Sequence, residues 1–284
     1  MNIGLVLEQT PASTLDLSRF VAVAREVTVA DVVRSMSDRA LSCAIVVEDG
    51  APVGIFTQRD VLLRVIGRPS NWDRPIADEM TRPVRTLGLD QSVAAGLTLM
   101  SDWWVRNVPV VDRDGKLEGN LSFFVVMKTM ADLLEARLGE SGARPEVQHG
   151  LQYVDFTGMN TNPPVTVRVD QTADVAAHQM SARGIGSVLV VDDRERLAGV
   201  LTEFDLQMKI GCERSDLSNI LVEDIMTPEP VALGARTPIA GAIRQMAEHG
   251  FAHIPLLGES GRPVAVTSFR DIAGYVESSL EALG

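Results

Sequence analysis

Residues 221–231 read LVEDIMTPEPV and residues 76–84 read IADEMTRPV. In each, acidic residues lead into Met, Thr and a proline-bearing extended segment, and the residues that follow are also alike. A short strand gives way to an amphipathic helix ending in Met, then a hydrophobic strand, a turn, a second strand ending in Ser or Thr, and another helix. Four segments follow this plan. The helix Met falls at Met36, Met100, Met180 and Met246, and the strand-ending hydroxyl at Thr57, Ser122, Thr202 and Ser268, so the internal spacings are 21, 22, 22 and 22 residues. Self-similarity of this kind is the signature of a repeat architecture and takes precedence over any local reading.

The segments parse alike. In the first, VTVADVVRSM (27–36) places apolar residues at helical spacing, AIVV (44–47) is a buried strand, EDGAP (48–52) a turn, and VGIF (53–56) the strand before TQRD. The second continues through AAGLTLM (94–100), NVPVVD (107–112) and NLSFFV (120–125), and the third through ADVAAHQM (173–180), SVLVVDD (187–193) and LTEFD (201–205). The fourth gives PIAGAIRQM (238–246), HIPLL (253–257) and VAVTSFRD (264–271). The Met landmarks are separated by 64, 80 and 66 residues, so the wide middle gap divides the chain into two pairs. This predicts repeats over 1–70, 71–138, 151–218 and 219–284. KTMADLLEARL (128–138) reads as a helix, and the Gly-, Pro- and charge-bearing stretch at 139–150 as the linker.

Composition narrows the function classes. At 284 residues, with 45% hydrophobic and 23% charged, the chain can bury one large core or two medium ones without staples. Cys43 and Cys212 stand far apart, with no CxxC or Cys/His ligand spacing, so neither a disulfide framework nor a zinc site is expected. A reducing cytoplasm is the expected location. No apolar run is long enough to span a bilayer, and the first twenty residues carry only Arg19 as a base, unlike a secretory signal. The net charge is −12, and the basic residues are scattered, the opposite of a nucleic-acid footprint. An anionic small molecule remains compatible with that charge, because a few cations or helix N-termini decide binding locally.

Taken together, EDIMTPEPV (223–231) and DEMTRPV (78–84), HIPLL and NVPVVD, and GIFTQRD (54–60) and GVLTEFD (199–205) resemble the CBS domain family, named after cystathionine β-synthase. The likeness covers nearly the whole chain. It implies an α/β fold of four β-α-β-β-α repeats, paired through their small sheets into two tandem pseudo-twofold Bateman modules. It also implies clefts between paired repeats, which in many members bind adenine nucleotides or relatives such as S-adenosylmethionine. Two departures stand out: repeat 1 opens with LSRFVAVA (17–24) instead of the acidic-Met-Thr pattern, and repeat 2 ends its motif in Val125 with no carboxylate.

The recurring Ser/Thr-x-x-Asp sits where a strand meets a helix N-terminus, where free backbone N–H groups and the helix dipole favour an anion. The hydroxyls of Thr57, Thr202 and Ser268 can donate to a phosphate, and Asp60, Asp205 and Asp271 can accept both hydroxyls of a ribose. The same spacing is also a capping box, and the two roles are compatible. For adenine, a flat apolar slot is expected from Pro164, Val165 and Thr166 with Val188 and Leu189 on the adjoining strand, although most such residues serve the core.

Arg106, just before the middle strand of repeat 2, and His253, at the start of that strand in repeat 4, are in the region from which family members reach a phosphate. Arg106 is matched with Asp60 and His253 with Asp205; for His253 the structural alternative is a satisfied strand-end histidine. Arg59 and Arg270 read as exposed helix residues. His249 and His253 lack a third ligand at metal spacing. Of the adjacent Trp103 and Trp104, at most one can face the core, the other marking an interface or a ligand slot.

With no nucleophile–base pair, metal cluster or glycine-rich phosphate loop, the expected protein is not an enzyme and has no catalytic cofactor. The reading is a regulatory sensor that takes AMP, ADP or ATP, or alternatively S-adenosylmethionine, and signals to a partner protein. It involves no nucleic acid and no membrane insertion. The other class left open is a ligand-free dimerisation or interaction scaffold. Apolar faces on DVLLRVI (60–66) and DLQMKI (205–210) point to a homodimer, or to two modules of one chain packed on each other.

Overall fold

A computed structural model describes residues 3–138, 154–158, 163–210 and 216–281; the expected linker at 139–150 and Cys212 lie outside them. After α1 (Ile3–Gln9), the first repeat runs β1 (Val21–Ala24), α2 (Val29–Asp38), β2 (Cys43–Glu48), β3 (Ala51–Thr57) and α3 (Gln58–Asp60), which continues as a π-helical turn over Val61–Val65. The second has α4 (Ile76–Glu79), β4 (Leu87–Gly88), α5 (Val93–Asp102), β5 (Asn107–Val111), β6 (Leu117–Ser122) and α6 (Phe123–Leu138). The third has β7 (Thr166–Arg168), α7 (Ala173–Arg183), β8 (Ser187–Val191), β9 (Leu197–Thr202) and α8 (Glu203–Ile210). The fourth has β10 (Thr227–Pro228), β11 (Leu233–Gly234), α9 (Ile239–His249), β12 (His253–Leu257), β13 (Pro263–Ser268) and α10 (Phe269–Glu281).

Each repeat forms one small sheet in which a short strand (β1, β4, β7, β11) pairs parallel with the middle strand, and the middle strand pairs antiparallel with the last; β10 of repeat 4 crosses to the third sheet and pairs antiparallel with β9. The middle strands are buried on both faces, which is why they read as unbroken apolar runs rather than alternating ones. The first hairpin turns at Asp49 and Gly50, with φ of +50° and +79°. Two consecutive left-handed residues make the tight hairpin turn whose twist matches the strands. In α2, the Thr28 hydroxyl accepts from the Asp31 N–H at 3.2 Å, and Val29, Val32, Val33 and Met36 then fall on one buried stripe.

Two kinds of packing assemble the repeats. Sheets join repeats 1 and 2 into a first module through Cys43, Ile45 and Ile55, with Phe20, Val47, Val84 and Leu117 against them. The Leu117 N–H bonds the Gly50 carbonyl at 2.9 Å, and Leu197 reaches Gly261 in the same way at 3.4 Å in the second module, repeats 3 and 4. Helix faces then join the modules. One core unites repeats 1 and 3 through α2, the π-turn, α7 and α8, and another unites repeats 2 and 4 through α5, α6, α9 and α10. Val61, Leu62, Val65 and Leu206 share the first of these cores, so the faces of DVLLRVI and DLQMKI meet within one chain. Burial of one such side chain stabilises by roughly 1.5–3 kcal/mol. Gln207 fastens the same contact by donating to the Leu41 carbonyl at 3.0 Å. Among the described residues, no helix is long and apolar enough to cross a membrane.

Candidate functional site

The strand-to-helix corners are built as the capping spacing requires. Asp60 Oδ2 accepts the Thr57 N–H and hydroxyl, each at 2.8 Å; Asp205 Oδ2 accepts those of Thr202 at 2.8 and 2.6 Å; Asp271 Oδ2 accepts those of Ser268 at 2.6 and 2.8 Å. In repeat 2, where Val125 replaces the acid, the Val125 N–H bonds Ser122 Oγ at 3.4 Å. The helix can therefore start without a carboxylate.

The acidic-Met-Thr openings serve these corners from the neighbouring repeat. Thr81 donates to Asp60 Oδ1 at 3.0 Å, and Thr227 bonds Asp205 in the same manner. The preceding methionines seat the threonines: a Cβ built on Gly54 would lie 2.2 Å from Met80 Sδ, and one on Gly199 would lie 2.4 Å from Met226 Sδ. Glycine in GIFT and GVLT is thus the space that the opening Met fills. Burial raises the carboxyls of Asp60 and Asp205 above the ordinary aspartate range, against the bonds that favour ionisation.

Among the described residues, cavities open beside the corners of repeats 3 and 4. The larger, about 590 Å³, is bordered by Thr202 and Asp205 of repeat 3, Thr227 and Pro230 of repeat 4, and Leu41 and Phe124 of the first module. The smaller, about 270 Å³, lies between Ser268–Asp271 of repeat 4 and Pro163, Val165 and Gly186 of repeat 3, and it takes Arg59 and Arg106 from the first module. Arg106 and His253 line both. Gly186 makes room for this junction, since a Cβ there would meet His253 Cε1 at 3.0 Å.

Arg59, Arg106 and Arg270 converge on the junction around the fully buried carboxylate of Glu203. Arg59 Nε stands 3.0 Å from Glu203 Oε1, and Arg106 bonds Oε2. Arg59 also donates to the Gly184 carbonyl at 2.9 Å. Burial, followed by the fields of Arg106, Arg270 and Arg59, pushes His253 down to about 3, so the ring is neutral near pH 7. Burial and the other two guanidiniums likewise lower the pKa of Arg270. The fields of Glu203 and Asp271 act the other way and favour its charge.

The matches across four segments decide the family. A model of the CBS domain matches residues 13–67, 76–136, 155–211 and 222–278. The chain belongs to the CBS domain family. The CBS domain-containing protein CBSCBSPB1 of Arabidopsis thaliana is 24% identical over 93% of this chain and 53% of its own length. An uncharacterized protein of Methanopyrus kandleri is 34% identical over 38% of this chain and 55% of its own. The chain spans about half the length of the curated relatives it matches. Protein MJ1225 from Methanocaldococcus jannaschii, described as a candidate archaeal homologue of γ-AMPK, has the same fold, with a TM-score of 0.77 at 16% identity over 92% of this chain and 97% of that one.

Within this CBS assembly the expected site residues are not equally placed. Thr202, Asp205, Ser268, Asp271, Arg106, Val165 and His253 line the cavities. Thr57 and Asp60 do not: Asp60 Oδ1 is taken by Thr81 of repeat 2 and by Arg64 of its own repeat at 3.4 Å. Arg106 accordingly pairs with Glu203 rather than serving Asp60. Val188 and Leu189 are wholly buried, and Pro164 and Thr166 lie off the wall of the smaller cavity, which Pro163, Val165, Ile185 and Gly186 line. His253 shares the larger cavity with Asp205 as matched, but as a neutral ring rather than a cation.

Arg59 and Arg270 are not exposed helix residues, because α3 and α10 aim their first turns at the centre of the assembly. Neither tryptophan of the Trp103–Trp104 pair is in the core: they are 52% and 70% exposed. Glu203 is the residue that sequence reasoning missed. Its signal lay in the motif itself, since TQRD, TEFD and SFRD carry a charge inside the cap where repeat 2 has Phe123 and Phe124. The described residues contain no group of three His, Cys, Asp or Glu able to hold a metal.

Proposed function

We propose that this CBS protein is a non-catalytic regulatory sensor that binds an adenine nucleotide at the junction of its two modules and passes the change to a partner protein. The observation that carries the reading is the arginine cluster beside two Ser/Thr–Asp corners. Arg59, Arg106 and Arg270 converge where the cavities meet, with Glu203 buried against two of them and Asp205 and Asp271 on the walls. Asp205 and Asp271 stand at the cavity walls as acceptors for ribose hydroxyls, and the α8 and α10 N-termini favour a phosphate. Pro163 and Val165 supply an apolar edge for the base.

A ligand in the smaller cavity touches the second module through Ser268 and Asp271 and the first through Arg59 and Arg106. Its binding energy is therefore spent across the module interface, so it shifts how the two halves pack, the quantity a partner would read. Family membership supports adenosyl ligands generally. The choice among AMP, ADP, ATP and S-adenosylmethionine is tested by a thermal-shift panel that includes adenosine. A true ligand at about one hundred times its Kd stabilises by roughly 2.7 kcal/mol. Absence of any shift across the panel would favour the ligand-free scaffold.

A further inference from the structure

Trp104 stands where a tryptophan is costly. It follows α5 with φ of +58°, and the positions equally placed four residues after the helix Met in repeats 3 and 4 are glycines, Gly184 at +64° and Gly250 at +75°. Repeat 1 uses Ala40 there, at +50°. A bulky residue in the left-handed region costs stability that glycine would not, and such strain persists where the side chain has work to do.

The work is visible in what the ring touches. Trp104 lines the smaller cavity, and Arg270 stacks on its face, the guanidinium carbon 4.9 Å from the ring centroid. Arg270 needs such a hold. Glu203 is already occupied by Arg59 and Arg106, and among the described residues Arg270 makes no ion pair. Arg59 and Arg106 repel it while Glu203 and Asp271 attract it, and the negative face of the indole adds a direct hold without neutralising its charge. A carboxylate in the same place would also hold Arg270, but it would cancel the charge that a phosphate seeks.

We propose that Trp104, supplied by the first module, is a positioning residue of the nucleotide site in the second, holding Arg270 at the cavity against the repulsion of Arg59 and Arg106 so that a third guanidinium is in place for the ligand's phosphate. The inference rests on the nucleotide-binding reading above. Trp103 is the built-in control: it is exposed and stacks on Arg85 at 3.9 Å, away from the cavity wall.

The test is calorimetric titration of AMP and of adenosine into the full-length protein and its variants, with urea unfolding of each unliganded chain. Trp104→Gly should be at least as stable as the wild type, because glycine accepts the backbone conformation, yet bind AMP roughly 3–10-fold more weakly while adenosine changes less than about twofold. Trp104→Phe, which keeps an aromatic face, should recover much of the AMP affinity, and Trp103→Ala should bind both ligands as the wild type does. If Trp104→Gly bound AMP normally, or lost AMP and adenosine alike, the positioning role would be wrong. Wild-type protein that bound neither ligand would overturn the nucleotide reading itself, and this proposal with it, before any variant was compared.

Discussion

Arg106 of the first module and Glu203 of the second form an ion pair across the module interface, and Glu203 is fully buried while Arg106 is nearly so. Arg59 reaches the same carboxylate from repeat 1 at 3.0 Å. One acid from repeat 3 thus ties together both repeats of the opposite module, at the place where the two cavities meet. The pairing keeps two cations close without ligand and leaves the third, Arg270, available.

Replacing that acid tests the tie. Glu203→Gln leaves two guanidiniums unpaired, and since both retain some access to water the loss should be roughly 1–3 kcal/mol, below the full cost of stranding a wholly buried charge. Urea unfolding measures it. Inorganic pyrophosphate should restore more stability to the variant than to the wild type, because it supplies the anion that Gln cannot. An equal response would show that Glu203 and the anion site are independent.

Acid should weaken the fold through His253. Its pKa falls from an ordinary 6.5 to about 3 in the folded chain, so its contribution to stability is complete above about 6.5 and is lost as pH falls toward 3. The slope is about 1.4 kcal/mol per pH unit for one proton. Asp60 and Asp205 have the opposite sign: their pKa values are raised, so their protonation favours the fold and offsets the loss in the lower part of that window. Between about pH 6.5 and 5, His253→Gln should flatten the pH dependence of urea unfolding. A profile unchanged by the substitution would place the sensitivity elsewhere.

Much of this is legible in the sequence. Thr57, Ser122, Thr202 and Ser268 marked the corners, and the unbroken apolar runs marked the middle strands, because both are properties of one repeat. Asp205 and Asp271 followed from the same register. Arg59, Glu203 and Arg270 did not, because helical periodicity describes how a helix faces its own repeat, whereas these residues face a centre that exists only once four repeats have closed around it. Arg64 was hidden for a related reason. Its guanidinium fills the repeat 1 corner from four residues beyond Asp60, where repeat 3 has the exposed Lys209 and repeat 4 has Tyr275.

That difference between corners predicts unequal glycine variants. Gly199→Ala must displace Met226 and the Thr227 backbone, 3.0 Å from the new Cβ, and so disturbs a corner that lines a cavity. Gly54→Ala displaces Met80 beside Asp60, whose second oxygen Thr81 and Arg64 already occupy. Both should cost about 1–3 kcal/mol as overpacking changes, measured by thermal unfolding. Nucleotide affinity should fall for Gly199→Ala and hold for Gly54→Ala; the reverse order would contradict the assignment of the corners.

Most of the apolar face of DVLLRVI and DLQMKI is covered within the chain, with Leu63 and Met208 left partly exposed. Light scattering should return a particle of one chain, near 30.7 kDa. A stable dimer would require a different surface from the one that joins repeats 1 and 3.

The most direct test of the nucleotide site is calorimetric titration of AMP into the full-length protein and into the Asp205→Asn/Asp271→Asn double variant. The account predicts saturable binding to the wild type and a loss on the order of tenfold or more in the variant, as expected when acceptors for paired ribose hydroxyls lose their charge. No heat with the wild type, or equal affinity in both proteins, would contradict it.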